Sequence, residues 1–362
     1  MKSRFYVFFF IGFLLVVLLG AIGLGLYITN KISNTSEQLN QLESNEPADY
    51  HIMIIVDSKN RFYSTQFRQG IKAAALEYKI AYEIIEVEGS NYYEDVLDAL
   101  DMAIYSKVDG IVLHAIPSDK VVAKINDASD LNIPVITLNE DLAESARICY
   151  VGVNRYNIGQ EAGKILAESM GGKGKIAVVE QRGYLAQNYL DNKIKDSINT
   201  NQDNQLLSKD TLLLGIADIV KNYKDLKVDF IGYTEQGTLS AETIITNILK
   251  ENPDITGIFC SDGQNTLGVI QAIIDNNLVN KTKLIGYGDE EEILEYVEKG
   301  NIIEATLVSD YHDIGYEAMK AFYEYKNVQF VSSYINTDLK IVTENNIDAY
   351  RNEKSEIREK EE

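Results

Sequence analysis

The stretch KVDGIVLHAIPSDKVVAKINDASDLNIPVITLNED, residues 107–141, decides the fold. DGIVLHA and PVITLN are short runs rich in valine and isoleucine, which suit a pleated, buried surface and read as strands. The amphipathic stretch between them makes the unit strand, helix, strand. The second strand ends in a contradiction: Leu138 is followed by Asn139, Glu140 and Asp141, polar side chains that an apolar core does not hold without partners.

Outward from this unit the alternation continues in both directions. HIMIIVD and YEIIEVE precede it, and KIAVVEQ, VDFIGYT, GIFCSD, KLIGYGD and ATLVSD follow. Amphipathic stretches lie between most of these runs: Phe67, Ile71, Ala74, Ala75 and Tyr78 are spaced for one helix face, as are Leu267, Ile270 and Ile274. Near-continuous apolar strands separated by helices indicate parallel sheets covered on both faces. Nine such strands over roughly 300 residues suit two sheets better than one. The fold class expected is therefore α/β. In open sheets of this kind ligands bind outside the carboxyl ends of the strands. Asn139 and Glu140 stand at such an end, as do His114 after DGIVL, Asp262 after GIFCS and Asp289 after LIGYG.

Composition narrows the partners. The 362 residues are 45% hydrophobic and 25% charged, a globular balance, with a formal net charge of −21. So acidic a chain repels nucleic acid phosphates and anionic surfaces, so no nucleic acid partner is expected. Cys149 and Cys260 lie far apart inside apolar runs and read as buried free thiols, with no disulfide framework or zinc site implied. The three histidines, His51, His114 and His312, are too widely spaced to form a local metal-binding pair.

The amino terminus reads as a membrane anchor. FYVFFFIGFLLVVLLGAIGLGLYI, residues 5–28, contains no charge; as a helix it would be about 36 Å long, enough to span a bilayer. No A-x-A-like cleavage site follows it, and no nearby cysteine offers itself to a lipid. Lys2 and Arg4 in front of it place the amino terminus in the cytoplasm and the remainder outside. Residues 29–49, rich in Asn, Gln, Ser and Glu, read as a polar stalk.

The order and wording of the segments resemble the periplasmic sugar-binding proteins of the ribose/galactose type. Residues 107–141 carry the resemblance together with YVGVNRYNIGQEAGKILAE at 150–168, ILKENPDITGIFCSDGQNTLGVIQAI at 248–273, LIGYGDEEEILEYVEKGNIIEATLVSD at 284–310 and INTDLKIVTENNIDAY at 335–350. The resemblance implies two Rossmann-like lobes joined by three hinge crossings, near Gly152–Asn154, Ser309–Asp310 and Ser333–Asn336. Residues 50–152 and 310–334 would form the first lobe, 153–309 and 335–350 the second, and 351–362 a charged tail.

The resemblance also implies a ligand-binding set, carried over position by position. Asn60, Phe62 and Tyr63 resemble a turn whose aromatic rings cover a sugar, with Arg61 where proline is common. Asn139-Glu140 stands where Asp-Arg is usual, and Asn188 falls where a second arginine is usual. Asp262-Gly263 replaces Asn-Asp; Gly288 replaces an aspartate and is followed by Asp289; Tyr287 keeps an aromatic; Ser309 replaces a glutamine. His114 and Asn154 complete the set, although His114 reads equally as a satisfied loop histidine. A cleft lacking both arginines loses their bidentate grip on hydroxyl pairs, which leaves a neutral polyol or a cation-bearing ligand in view.

Catalytic motifs do not compete with this reading. G-x-x-x-x-G-K-[ST], G-x-S-x-G and H-E-x-x-H are absent, and GGKGK at 171–175 is a turn before a strand. No enzyme activity and no cofactor are expected. Two functions follow from the resemblance: a receptor that senses a solute outside the membrane beside a histidine kinase, or the solute-binding component of an ABC importer serving a permease.

Overall fold

A computed structural model describes residues 47–57, 65–87, 92–116, 118–181, 211–234 and 238–359. The first of its two sheets holds β1 (Tyr50–Asp57), β2 (Ile80–Val87), β3 (Gly110–His114), β4 (Val135–Leu138), β5 (Cys149–Gly152) and β11 (Tyr334–Asn336). Their order is β11-β5-β4-β3-β1-β2, with every neighbouring pair parallel. The second sheet holds β6 (Lys173–Gln181), β7 (Asp225–Thr234), β8 (Ile255–Cys260), β9 (Lys283–Tyr287), β10 (Ile303–Ser309) and β12 (Leu339–Val342), in the order β12-β10-β9-β8-β6-β7. Here β12 runs antiparallel to β10 and the other pairs are parallel. The chain passes between the sheets after β5, after β10 and after β11. Each sheet thus repeats the doubly wound arrangement in which the second strand lies outside the first.

Helices cover both faces. The first lobe carries α1 (Thr65–Tyr78), α2 (Tyr92–Ser106), α3 (Asp119–Asp130) and α9 (Tyr311–Val328). The second carries α4 (Arg155–Ser169), α5 (Thr211–Val220), α6 (Thr238–Glu251), α7 (Gly263–Asp275), α8 (Glu291–Lys299) and α10 (Ile347–Glu359). Side-chain alternation along a strand explains the layering. In β1, Ile52, Ile54 and Val56 join the core formed with α1 and α9, whereas Met53 and Ile55 join the one formed with α2 and α3. In β6, Ile176 and Val178 face α4 and α5, and Ala177 and Val179 face α6, α7 and α8.

The nine expected strands fall on β1 to β4 and β6 to β10. Sequence reading missed β5, β11 and β12, which have three or four residues each, and β12 breaks the expected all-parallel pattern. The helix α10 runs into the segment read as a charged tail and fastens there: Arg351 pairs with Glu291 at 2.6 Å and Glu298 at 2.8 Å. The anchor and most of the stalk lie outside the described residues. Among the described residues no helix is long and apolar enough to cross a membrane.

Candidate functional site

A cavity of about 100 Å³ opens where the two lobes meet, beside the crossing that follows β5. At roughly 10–15 Å³ per ordered water, it has room for several waters or for a small ligand in their place. Its walls come from the carboxyl ends of β4, β8, β9 and β10 and from the first turns of α4, α7 and α9.

At the end of β8, Asp262 accepts a hydrogen bond from the Asn265 amide at 3.0 Å and caps α7. The Asn265 side-chain amide also donates to it, while Asn265 Oδ1 accepts from the Thr234 hydroxyl at 2.8 Å. Burial pushes the Asp262 carboxyl up to about 6, against the lowering effect of the Asn265 and Gln264 amides, and the Glu180 charge adds to the rise. At the end of β9, the Tyr287 hydroxyl is hydrogen-bonded to Ser309 Oγ on β10. Thr266 Oγ1 accepts from the Tyr287 amide at 3.0 Å, fixing that loop against α7. The loop is tight because Gly288 has φ +103°, a conformation that favours glycine.

The first lobe closes the other side. Asn139 holds a left-handed φ of 67°, which asparagine tolerates. The Tyr150 hydroxyl lies 3.5 Å from Asn139 O and 3.3 Å from Val153 O, tying the end of β4 to the crossing. Tyr311 and Ile314 of α9 complete this wall.

A guanidinium that sequence reading passed over stands between the lobes. Arg155 lines the cavity with its Nη1 3.8 Å from Glu140 Oε1 on the first lobe and its Nη2 3.5 Å from Glu180 Oε1 on the second. Burial works against its charge, but Glu140 and Glu180 together hold its pKa above the ordinary arginine value. The cleft therefore has a cation of its own, supplied from the crossing. The clue in the sequence was an arginine directly after Asn154 combined with a glutamate at 140.

The expected site residues separate into three groups. Asn139, Asp262, Tyr287, Asp289 and Ser309 line the cavity. Three others have different duties. Glu140 does not line it, and its charge is directed at Arg155. Asn154 caps α4, accepting from the Tyr156 amide at 2.9 Å, and its own amide donates to Asn336 Oδ1 at 3.0 Å. His114 is buried at the end of β3 away from the cavity, and burial pushes its pKa down to about 4, so the imidazole is neutral at pH 7. Asn60, Phe62, Tyr63 and Asn188 lie outside the described residues. Asp289, although at the wall, has its carboxylate engaged by Lys354 Nζ at 2.5 Å and the Tyr350 hydroxyl at 3.0 Å.

Among the described residues the cavity wall combines acceptors, hydroxyls and amides with the Arg155 guanidinium, the equipment for holding a small molecule rich in hydroxyl groups. Among the described residues no cluster of three acidic, histidine or cysteine side chains is arranged for a metal ion.

Known proteins with this layout are numerous. The chain is 21% identical over 310 residues to the ribose import binding protein RbsB of Bacillus subtilis, covering 83% of this chain and 90% of the relative. It superposes on GanP, a glucose-galactose binding protein from Geobacillus stearothermophilus, with a TM-score of 0.71 and 27% identity over 83% of this chain and 99% of the other. A chain from a XylFII–LytSN complex matches with a TM-score of 0.65 and 25% identity, over 83% of this chain and 99% of that one. Residues 52–328, most of the two lobes, match a family model described as the periplasmic binding protein domain, and the chain belongs to that family.

Proposed function

We propose that the protein binds a small neutral polyol, a sugar above all, in the cleft between its lobes on the outer side of a membrane, as the sensing receptor of a signalling system. The observation that carries this reading is the inter-lobe cavity itself. It is lined from both lobes and ringed by Asn139, Asp262, Tyr287 and Ser309, with Arg155 at the crossing. A ligand that fills it touches both lobes, so its binding energy favours whichever lobe arrangement encloses it. Binding rather than catalysis is its role.

Two relatives support the ligand class by name, one for ribose import and one for glucose and galactose. The sensing role is supported by the uncharged segment at residues 5–28, which would hold the lobes beside a fixed membrane partner such as a histidine kinase. It is supported also by a similar chain found in complex with LytSN. The importer role has its own support in the ribose import relative, and there the partner is a permease.

The test is a thermal-shift screen of the detergent-solubilised full chain against neutral monosaccharides, polyols and amino acids, because a ligand selective for the folded state raises the melting temperature by mass action. A shift with a sugar or polyol supports the reading; shifts with amino acids alone sink it. Mass spectrometry of the membrane-extracted protein should find residues 1–28 present, and a mature chain beginning near residue 30 contradicts the anchored receptor. Neighbouring genes for a kinase and response regulator favour sensing, and genes for a permease and ATPase favour import.

A further inference from the structure

We infer that the end of the first lobe farthest from the cavity rests on a lipid surface, that of the bilayer holding residues 5–28. The inference rests on the proposed anchoring of the chain. Tyr105 is 83% exposed and Phe330 75% exposed. With Leu76, Met102, Leu131 and Val328 they are the large apolar side chains exposed among the described residues. Single apolar residues scattered over a surface need no explanation. These six are not scattered: all lie in the final turns of α1, α2 and α9 or within two residues beyond α3 and α9. The second lobe, built on the same plan, exposes none among the described residues.

Topology gathers these positions at one pole. Each of the four helices runs back from the carboxyl ends of the strands, where the cavity opens, to the start of the next parallel strand. The chain arriving from residues 1–46 enters at the same pole. The Asp49 amide donates to Lys79 O at 2.9 Å, just past α1, and the His51 amide donates to Asp109 Oδ2 at 2.8 Å, just past α2. Lys326, in the last turn of α9, holds its Nζ 3.7 Å from Asp109 Oδ1 and 5.4 Å from the centre of the Tyr50 ring. The polar segment 29–49 therefore delivers the chain from its uncharged stretch into the midst of these helix ends.

As a flexible linker that segment would keep its ends roughly 25 Å apart on average. Contacts too weak to form between free molecules are populated across so short a tether. The side chains suit the place: aromatic rings gather at the boundary between lipid and water, and lysines such as the exposed Lys79 and Lys107 reach past apolar neighbours to the headgroups. With the first lobe held in this way, closure on a ligand moves the second lobe relative to the membrane.

The test uses the full chain reconstituted in phosphatidylcholine vesicles, neutral lipid that removes the repulsion due to the net charge of −21. A bimane fluorophore is placed at Ser106→Cys, beside Tyr105, or at Lys250→Cys, exposed near the end of α6 in the second lobe; the native Cys149 and Cys260 are buried. Lipid carrying a doxyl quencher near the headgroup should quench position 106 several-fold more than position 250. Combining Tyr105→Ser, Leu131→Ser and Phe330→Ser should abolish the difference and leave the melting temperature unchanged, as substitutions at exposed positions do. Equal quenching at 106 and 250, or quenching at 106 that survives the triple substitution, overturns the inference. A disulfide between Ser106→Cys chains in place of quenching gives the face to a second copy and overturns it too. A chain that stays with the vesicles through an alkaline wash but is not quenched at 106 sinks the inference alone, whereas a chain washed off the vesicles sinks the anchoring with it.

Discussion

The two lobes repeat one another in strand order and even in the device that seats a helix pair. In the first, α1 and α9 approach so closely that a Cβ on Gly70 would stand 2.0 Å from the His312 carbonyl oxygen; in the second, a Cβ on Gly159 would stand 2.0 Å from that of Leu212. The cavity between them is not shared in the same way. Among its described lining residues the first lobe supplies Asn139, Tyr150, Tyr311 and Ile314, while the carboxylates Asp262, Asp289 and Glu290 all come from the second. The scaffold is fixed by packing, which both lobes must solve alike. The chemistry sits on loops at the strand ends, which carry few packing duties and differ between lobes.

The strongest way to break this contrast is to remove the guanidinium that reaches carboxylates on both sides. Arg155→Met removes the guanidinium 3.5 Å from Glu180, which is 0% exposed, and breaking a buried ion pair by taking away one member costs up to about 3–5 kcal/mol. Urea denaturation should show that loss, and Glu180→Gln in the same chain should recover much of it. A stable Arg155→Met variant with Glu180 intact would mean that the pair does not hold the crossing.

Next comes the repeated helix contact. Gly70→Ala and Gly159→Ala should each cost roughly 1–3 kcal/mol through overpacking against a backbone carbonyl, read as a lowered melting temperature. A large loss from one and none from the other would show that the lobes do not share the device.

Asp262 sharpens the contrast through pH. It caps α7, so Asp262→Ala should cost about 1 kcal/mol, whereas asparagine keeps the cap. Its folded pKa of about 6 lies above the ordinary 3.8. The stability linked to its proton is therefore complete below about pH 3.8 and lost as pH rises through 6. Asp262→Asn should gain on the parent across that interval and stay more stable above it. In the first lobe His114 works the other way: its folded pKa of about 4 lies below the ordinary 6.5, so its contribution is present above 6.5 and lost as pH falls through 4. Melting temperatures of Asp262→Asn that track the parent at every pH from 4 to 8 would contradict the assignment.

The smallest effect belongs to Glu140. With its side chain 30% exposed and 3.8 Å from Arg155, Glu140→Gln should change stability by no more than about 1 kcal/mol, in the range of partly solvated ion pairs.

The long elements were legible because each repeats a period that burial enforces. Apolar runs such as those of β1 and β8 have no exposed alternative, and the order of their motifs specified two lobes. β11, with the sequence YIN, is half exposed and too short to show any period. The site was harder to read for a different reason. Asn154 and Asp262 have side chains suited to ligand hydroxyls, and the same oxygens suit helix caps: the chain uses Asn154 as a cap away from the cavity wall, and Asp262 as a cap that also lines it. Arg155 meets Glu140 only after the chain has passed through β5. Glu290 lies in the run DEEE, which reads as the solvated start of a helix; Glu291 and Glu292 fit that description at the surface, whereas Glu290 is buried at the cavity wall.

The central claim is that one small polar ligand is enclosed by both lobes, with most of its polar contacts on the second. It is tested most directly by titrating the full chain and two single-lobe variants, Asn139→Ala and Asp262→Asn, calorimetrically with the sugar that shifts the melting temperature most. Binding should be one to one in the parent and weakened in both variants, more by Asp262→Asn than by Asn139→Ala, because the lost charge-assisted bond is worth more than a neutral one. Unchanged affinity in both variants would place the ligand outside this cavity and contradict the account.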